Sequence, residues 1–365
     1  MNYFSESYTQ GRKKFCDAAQ QAGLEVITHT NPHAKTPDNQ PLTTDVAWCG
    51  STQATKILLV TCGTHGLEAA SGSATIIQWL ATKQYKKLPN DIAVIFVHAL
   101  NPYGWAYNSR TNEDNVDINR NFLSRQNNKP DNPVYAELHE FMMSDDISIS
   151  SLESSIELFE DYAQKHGRGN AIHGITGGQY DNPQGLSYGG FQQSWSVKTL
   201  NNKVQTFLPD AEKVAAIDWH TGIGEFAQPF MITGDETGSE EHKRAAAWWG
   251  ENLLHNHNIF DDSIRPDYSG LLANGLEAEI NKLDNVQLLA VTVEFGTYPL
   301  NSMIQALMMD NWIRFRSTDH SSVEHLTTKT RLIERFNPSA YEWRIGVLKH
   351  AERIYQQTLT GLAQW

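Results

Sequence analysis

Four stretches of the chain are apolar at nearly every position: Lys56–Cys62 (KILLVTC), Ile92–His98 (IAVIFVH), 214–219 (VAAIDW) and 286–294 (VQLLAVTVE). Uninterrupted runs of this length are what strands covered on both faces require. Between them the apolar period lengthens. Helices are predicted over 6–22, 69–83, 191–207 and 239–256, and at the C-terminus most clearly over 341–363. The segment 134–168 also turns helical, with Leu138, Phe141 and Met142 on one face, then Leu152, Ile156 and Phe159 on another. The order strand 56–62, helix 69–83, strand 92–98 makes a βαβ unit, hence a largely parallel sheet in an α/β fold.

Weaker signals fill the gaps. Short β-prone segments at 24–29 (EVITHT) and 44–49 (TDVAWC) flank a polar loop with Pro and Asn, and another short strand lies near 230–233. The glycine-rich stretch 174–190 reads as a loop, and the chain is irregular around 267–270. There is no repeat, low-complexity tract or evident linker. One α/β domain over residues 1–365, with an insertion around 123–212, is the simplest organisation.

Composition adds a core and removes some functions. Of 365 residues 40% are hydrophobic, and ten Trp, fourteen Phe and thirteen Tyr are spread along the whole length. Lys and Arg total 29 against 42 Asp and Glu, a net charge of -13. A chain this acidic, without a basic cluster, repels phosphate backbones, so nucleic acid is not an expected partner. Three cysteines, Cys16, Cys49 and Cys62, form no CxxC pair and fit a reduced compartment. No signal-like run opens the sequence, and no apolar stretch reaches the ~18 residues of a membrane span. The expected location is the cytoplasm.

The strong strands end in residues that a core would not choose. KILLVTC runs into GTHGLE, with His65 and Glu68; IAVIFVHAL runs into NPYG and then Arg110, Asn119 and Arg120. The third strand ends on His220 and the fourth on Glu294. In open parallel sheets the carboxyl ends of the strands form one rim, where ligands bind. His65 and Glu68, three apart at the start of a helix, can face one point. With His220 they make a mixed nitrogen and oxygen set suited to zinc, leaving a fourth position for water. Glu294 is then the group placed to take a proton from that water and pass it to a leaving nitrogen.

Each signal alone has a plainer explanation. An HxxE pair is more often a solvated pair on a helix surface. A strand-end histidine is more often simply hydrogen-bonded, and Glu294 could pair with a neighbouring arginine. The joint pattern outweighs these. His98, His255, His257, His320 and His325 have no such company, and Cys62 reads as a small buried hydrophobe.

Taken in order, five stretches resemble the zinc carboxypeptidase family, in the broad sense that includes the aspartoacylase and succinylglutamate desuccinylase branch. They are His65-Gly66-Leu67-Glu68, Asn101-Pro102-Tyr103-Gly104, Val116-Asp117-Ile118-Asn119-Arg120-Asn121-Phe122, Asp218-Trp219-His220-Thr221-Gly222 and Val293-Glu294-Phe295-Gly296-Thr297. The resemblance implies an α/β/α sandwich around a mixed, mostly parallel eight-stranded sheet, with zinc at the strand ends. By it, His65, Glu68 and His220 match the ligands, and Glu294 the catalytic carboxylate. Asn119 and Arg120 match the pair that grips a substrate carboxylate, a role that suits a planar guanidinium. Arg110 matches the arginine that polarises the carbonyl, with Arg125 a nearby residue that could be mistaken for it.

The chain departs from the family between Phe122 and His220, where the extra length includes the glycine-rich loop. That loop could roof the cleft, with Gln179, Tyr180 and Tyr188 as wall residues. Tyr268 is the candidate for the mobile substrate-binding tyrosine. The expected activity is a metallo-carboxypeptidase acting on short peptides or peptide-like amides with a free carboxylate. The alternatives are an N-acyl amino acid amidohydrolase of the aspartoacylase kind, and a binding protein that keeps the cavity without catalysis. The retained Glu294 argues against the last.

Overall fold

Parallel strands need cover on both faces, and the four apolar runs receive it at the centre of one eight-stranded sheet. The computed structural model describes residues 3–123, 130–255 and 268–365. Its strands are β1 (Val26–Lys35), β2 (Pro41–Gly50), β3 (Lys56–Cys62), β4 (Ile92–His98), β5 (Lys213–Gly222), β6 (Pro229–Ile232), β7 (Leu254–His255) and β8 (Gln287–Gly296). Their order is β1-β2-β4-β3-β5-β8-β6-β7. The central ladders β4–β3, β3–β5 and β5–β8 are parallel, while β1–β2, β2–β4 and β8–β6 are antiparallel. The sheet is therefore mixed and mostly parallel in the middle, as the resemblance implied.

Side-chain alternation along these strands assigns the faces. Leu58, Val60, Cys62, Ala215, Ile217, Trp219, Val291 and Val293 join one core cluster, under helices α1 (Tyr8–Gln21), α2 (Ala69–Ala81) and α12 (Tyr341–Gln364). Ile57, Leu59, Val214 and Ala216 point the other way, toward α7 (Trp195–Phe207) and α9 (Leu272–Ile280). Trp219 fixes β5 in register: its ring stacks on Phe295 with centroids 5.5 Å apart, and its indole N–H donates to Tyr355 Oη at 3.1 Å. Truncating a buried Trp of this kind typically costs ~3–5 kcal/mol.

A third cluster stands beside the sheet. It joins α4 (Pro133–Met142), α5 (Ile149–His166), α6 (Arg168–Thr176), α10 (Leu300–Phe315) and α11 (Val323–Phe336), and it reaches Leu67 next to the HxxE turn. Together α4 and α5 fill the predicted helical stretch 134–168. The remaining helices are α3 (Pro102–Tyr107) and α8 (Glu240–Trp249).

Four expectations change. The polar loop around 30–43 belongs mostly to strands: β1 and β2 extend through it around a tight turn, and Pro32 is tolerated because β1 is an edge strand. The glycine-rich stretch is not all loop, since α6 runs to Thr176. Gly174 is needed within it because a β-carbon there would lie 2.4 Å from Val134 Cγ1. Helix 239–256 stops at Trp249, where Gly250 turns to φ +94°, and the chain continues into β7. Helix α9 was not expected. Arg125 and the stretch 256–267, with His257 and Asp267, lie outside the described residues. Among the described residues no helix is long and apolar enough to cross a membrane.

Candidate active site

Strand parity decides what gathers at the carboxyl end of the sheet. Asp218 and His220 on β5, and Thr292 and Glu294 on β8, all share the face opposite Trp219 and Val293. His220 and Glu294 are direct neighbours in the parallel ladder. From the next strand, β3 leads into His65 and the single turn Gly66–Glu68 that opens α2. Gly66 leaves the space that the Asn101–Gly104 turn occupies: a β-carbon at this position would lie 1.9 Å from Gly104 C.

His65, Glu68 and His220 converge, each offering one ligand-type atom, and these atoms lie within 4.8 Å of one another. Nδ1 of His65 is 2.9 Å from Glu68 Oε1, and Nδ1 of His220 is 3.0 Å from Glu68 Oε2. The outer nitrogens are held elsewhere. His65 Nε2 is 3.1 Å from Asp117 Oδ1, and His220 Nε2 is 2.6 Å from Asp218 Oδ2. Asp218 is itself fixed by the hydroxyls of Thr61 (2.5 Å) and Thr64 (2.9 Å). An inward Nδ1 and an outward Nε2–H on a carboxylate is how metal-binding histidines are oriented and made more basic. The donor set fits a divalent transition metal.

The charges reinforce one another. Burial works against ionisation of Glu68, yet His65 and His220 hold its carboxyl well below the usual range. Burial likewise opposes an imidazolium at His220, but Asp218 and Glu68 hold its pKa well above the ordinary value. Glu294 has the opposite fate. Burial, and then the charge of Glu68, push it up to about 7. Its Oε2 is buried and has no hydrogen-bond partner among the described residues.

Arg110 lies against this cluster, with Nη1 donating to Glu68 Oε1 at 3.1 Å and Nε to Asp117 Oδ2 at 3.3 Å. Its backbone N–H donates to Asp310 Oδ2 at 2.8 Å, which anchors the loop on α10. Asn119 and Arg120 occupy a single turn, Ile118–Arg120, capped by the Asp117 carboxylate, which accepts from Asn119 N at 3.0 Å. Asn119 Oδ1 accepts from Leu272 N at 2.8 Å, leaving its amide NH2 to donate. Arg120 Nε donates to Thr176 O at 2.7 Å, and the guanidinium carbon lies 4.9 Å from the centre of the Tyr268 ring. Tyr268 Oη is 3.1 Å from Thr176 Oγ1. No carboxylate pairs with Arg120 among the described residues.

His65, Glu68, Arg110, Asn119, Arg120, Thr176, Tyr268 and Glu294 line one cavity of about 400 Å³, and His220 is buried beside it. Gln179, Tyr180 and Tyr188 do not line it. They are buried and hold the loop: Tyr180 Oη donates to Arg120 O at 2.8 Å, and the Gln179 amide donates to Asn182 O at 2.8 Å. From this part of the chain Ile172, Thr176 and Ser187 line the cavity instead. Asp117 and Asp218 were quoted within motifs but given no role. Asp218 was findable, since a residue two before His220 on a strand shares its face.

Over residues 4–350 the sequence matches a family described as a protein of unknown function, DUF2817. The chain belongs to the DUF2817 family. No curated protein is similar to this DUF2817 chain in sequence. Among solved structures it is similar to carboxypeptidase A from Helicoverpa armigera, at 11% identity over 91% of this chain and 75% of that one, with a TM-score of 0.48. It is similar also to bovine thrombin-activatable fibrinolysis inhibitor, at 11% identity over 97% and 98% of the two chains (TM-score 0.46). A metallo-carboxypeptidase from Burkholderia cenocepacia gives 12%, 86% and 70%, with 0.44. At these scores the likeness says nothing about the chemistry of the DUF2817 site, which rests on its own residues.

Proposed function

We propose that this chain is a zinc-dependent hydrolase that cleaves an amide bond next to a free carboxylate, in the manner of a metallo-carboxypeptidase. The observation that carries the reading is the pairing of two environments. Three ligand-type side chains converge, two of them histidines whose outer nitrogens are tied to aspartates, and beside them stands a buried carboxylate with an unpartnered oxygen. Zinc held by His65, Glu68 and His220 would supply Lewis acidity, polarising the carbonyl and lowering the pKa of water to about 7.

The chain's own residues do the rest. Glu294, with a pKa near neutrality, takes a proton at Oε2 from the attacking water and returns it to the leaving nitrogen. Arg110 puts a fixed positive charge at the cavity wall, suited to an oxygen that becomes negative in the transition state. Arg120 and the Asn119 amide face the carboxylate of the substrate. Tyr268, stacked over Arg120, limits that end of the cavity.

The test is turnover by the zinc-loaded protein of a short panel of dipeptides and N-acyl amino acids, each beside its C-terminal amide. Hydrolysis of the free acids, abolished by a chelator, is the expected result. If none of the panel is cleaved by protein of verified metal content, the proposal fails.

A further inference from the structure

Every charged side chain that lines the cavity among the described residues belongs to the centre already described: His65, Glu68, Arg110, Arg120 and Glu294. Much of the remaining wall is apolar, and three helices contribute to it. Leu300, Met303, Ile304 and Leu307 follow the i, i+3, i+4, i+7 spacing of one helix face on α10. Ile172 of α6 and Phe336 of α11 join them. This wall reaches the reacting centre. A β-carbon added at Gly222 would lie 3.6 Å from Met303 Cε, 3.9 Å from Glu294 Oε2 and 4.0 Å from Phe336 Cε1.

The surroundings of Arg120 are a different set. They are Thr176, Tyr268 and the backbones at Gly178 and Gly270, with no residue in common with those around Gly222. The carboxylate end and the apolar end are thus separate parts of one cavity, and α6 contributes Thr176 beside Arg120 and Ile172 to the wall. A group bound across the scissile bond from the carboxylate meets hydrocarbon on α10. The charged group that this face is shown to approach is a carboxylate, Glu294. A second negative charge on the acyl group would be desolvated without a cation to receive it. Arg110 is paired with Glu68 and Asp117, and on the hydrolase reading its charge serves the scissile oxygen. The volume, about 400 Å³, is at the low end of small-molecule cavities, roughly 300–1,000 Å³.

On the reading of the site as an amide hydrolase, we infer that its substrates are monocarboxylates whose acyl group is compact, uncharged and apolar, seated on the α10 face and Ile172. Acyl groups with a carboxylate of their own are rejected. The comparison that tests this keeps the amino acid constant: N-(3-phenylpropanoyl)-L-leucine against N-succinyl-L-leucine, with the zinc-loaded protein. The first should exceed the second by at least ~100-fold in kcat/KM. Leu307→Lys and, separately, Leu300→Lys place a cation on the apolar face at half-buried positions. Each should narrow that ratio by at least ~10-fold, by losing the first substrate and gaining the second. Circular dichroism checks folding, and one folded variant is enough to decide. A ratio under ~3-fold in the parent, or one that neither folded variant changes, overturns the inference while leaving the hydrolase reading intact. No turnover of either compound, nor of any dipeptide, overturns the hydrolase reading and this inference with it.

Discussion

His65 and His220 bring their Nδ1 atoms to 3.2 Å from each other, while each gives its Nε2 to a different buried aspartate. Two imidazoles held this way have their orientations fixed from behind. What remains adjustable is only what sits between them and Glu68. Asp117 also caps the turn that presents Asn119 and Arg120, so the same carboxylate positions a proposed metal ligand and the proposed carboxylate grip.

Metal content follows directly from this arrangement. The purified protein should hold about one transition metal per chain. His65→Ala or His220→Ala should abolish tight binding. Asp218→Asn keeps the shape but removes the charge behind His220, and should weaken affinity by ~10–100-fold. Metal analysis with chelator competition measures both. A His65→Ala/His220→Ala protein with wild-type metal content would show that the site lies elsewhere.

Glu294 separates chemistry from metal binding. Glu294→Gln retains size and burial but loses the base, so turnover should fall by at least ~10²-fold with metal content near wild type. Loss of metal in this variant would instead make Glu294 a ligand. The comparison needs the metal content and rate measured on the same preparation.

How much of this was legible in the sequence depends on which interactions are local. The central strands and the convergence of His65, Glu68, His220 and Glu294 could be read because parallel strands advertise themselves as apolar runs and their ends share a rim. Helix α9 could not be read so simply: Gly275 and Asn274 interrupt its pattern. Yet a β-carbon at Gly275 would lie 2.3 Å from Phe122 Cδ1, so the glycine answers a residue more than a hundred positions away. The same applies to the cavity wall. Ile172 and Phe336 are ordinary core residues in sequence, and only the packing of α6, α10 and α11 brings them to the cavity that Glu294 lines. Tyr180 and Tyr188 were expected in the wall for the opposite reason. A glycine-rich loop looks free to cover a cleft, but here its aromatic side chains are spent on burying the loop itself.

Acid stability should report on His98, away from the His65, Glu68 and His220 cluster. Burial pushes its pKa down to about 4 from 6.5. The ring stacks on Phe15 at 4.4 Å, and Nε2 is 2.8 Å from Ser73 Oγ. Between those two pH values the unfolded chain binds a proton that the folded chain refuses. Stability is therefore full above about pH 6.5 and is lost as pH falls toward 4, by up to ~3 kcal/mol. His98→Gln keeps a partner for Ser73 but does not titrate. Urea unfolding at several pH values should show the stability gap between wild type and variant shifting against wild type by this order as pH falls. Parallel curves would mean that His98 is protonated without cost.

The proposed grip of Arg120 on a carboxylate would set substrate polarity, and a double change can isolate it. Amidating the substrate carboxylate should raise KM or abolish turnover, because a charge-assisted contact in a dry site typically contributes ~2–5 kcal/mol, or ~30-fold and upward. Arg120→Ala should lose a similar amount on the free acid. Arg120 Nε is held by Thr176 O and its guanidinium carbon lies over the Tyr268 ring, so the side chain is fixed before substrate arrives. Little of its binding energy is then spent on ordering. If the two groups touch, combining the variant with the amidated substrate adds little to either loss, since both remove one interaction. Additive losses would mean that Arg120 supports the fold around Tyr268 and Thr176 while the carboxylate binds elsewhere. Arg120→Lys distinguishes these further. It keeps the charge but loses the planar fork, so a bidentate grip predicts a rate between wild type and Arg120→Ala on the free acid, and no rescue on the amide.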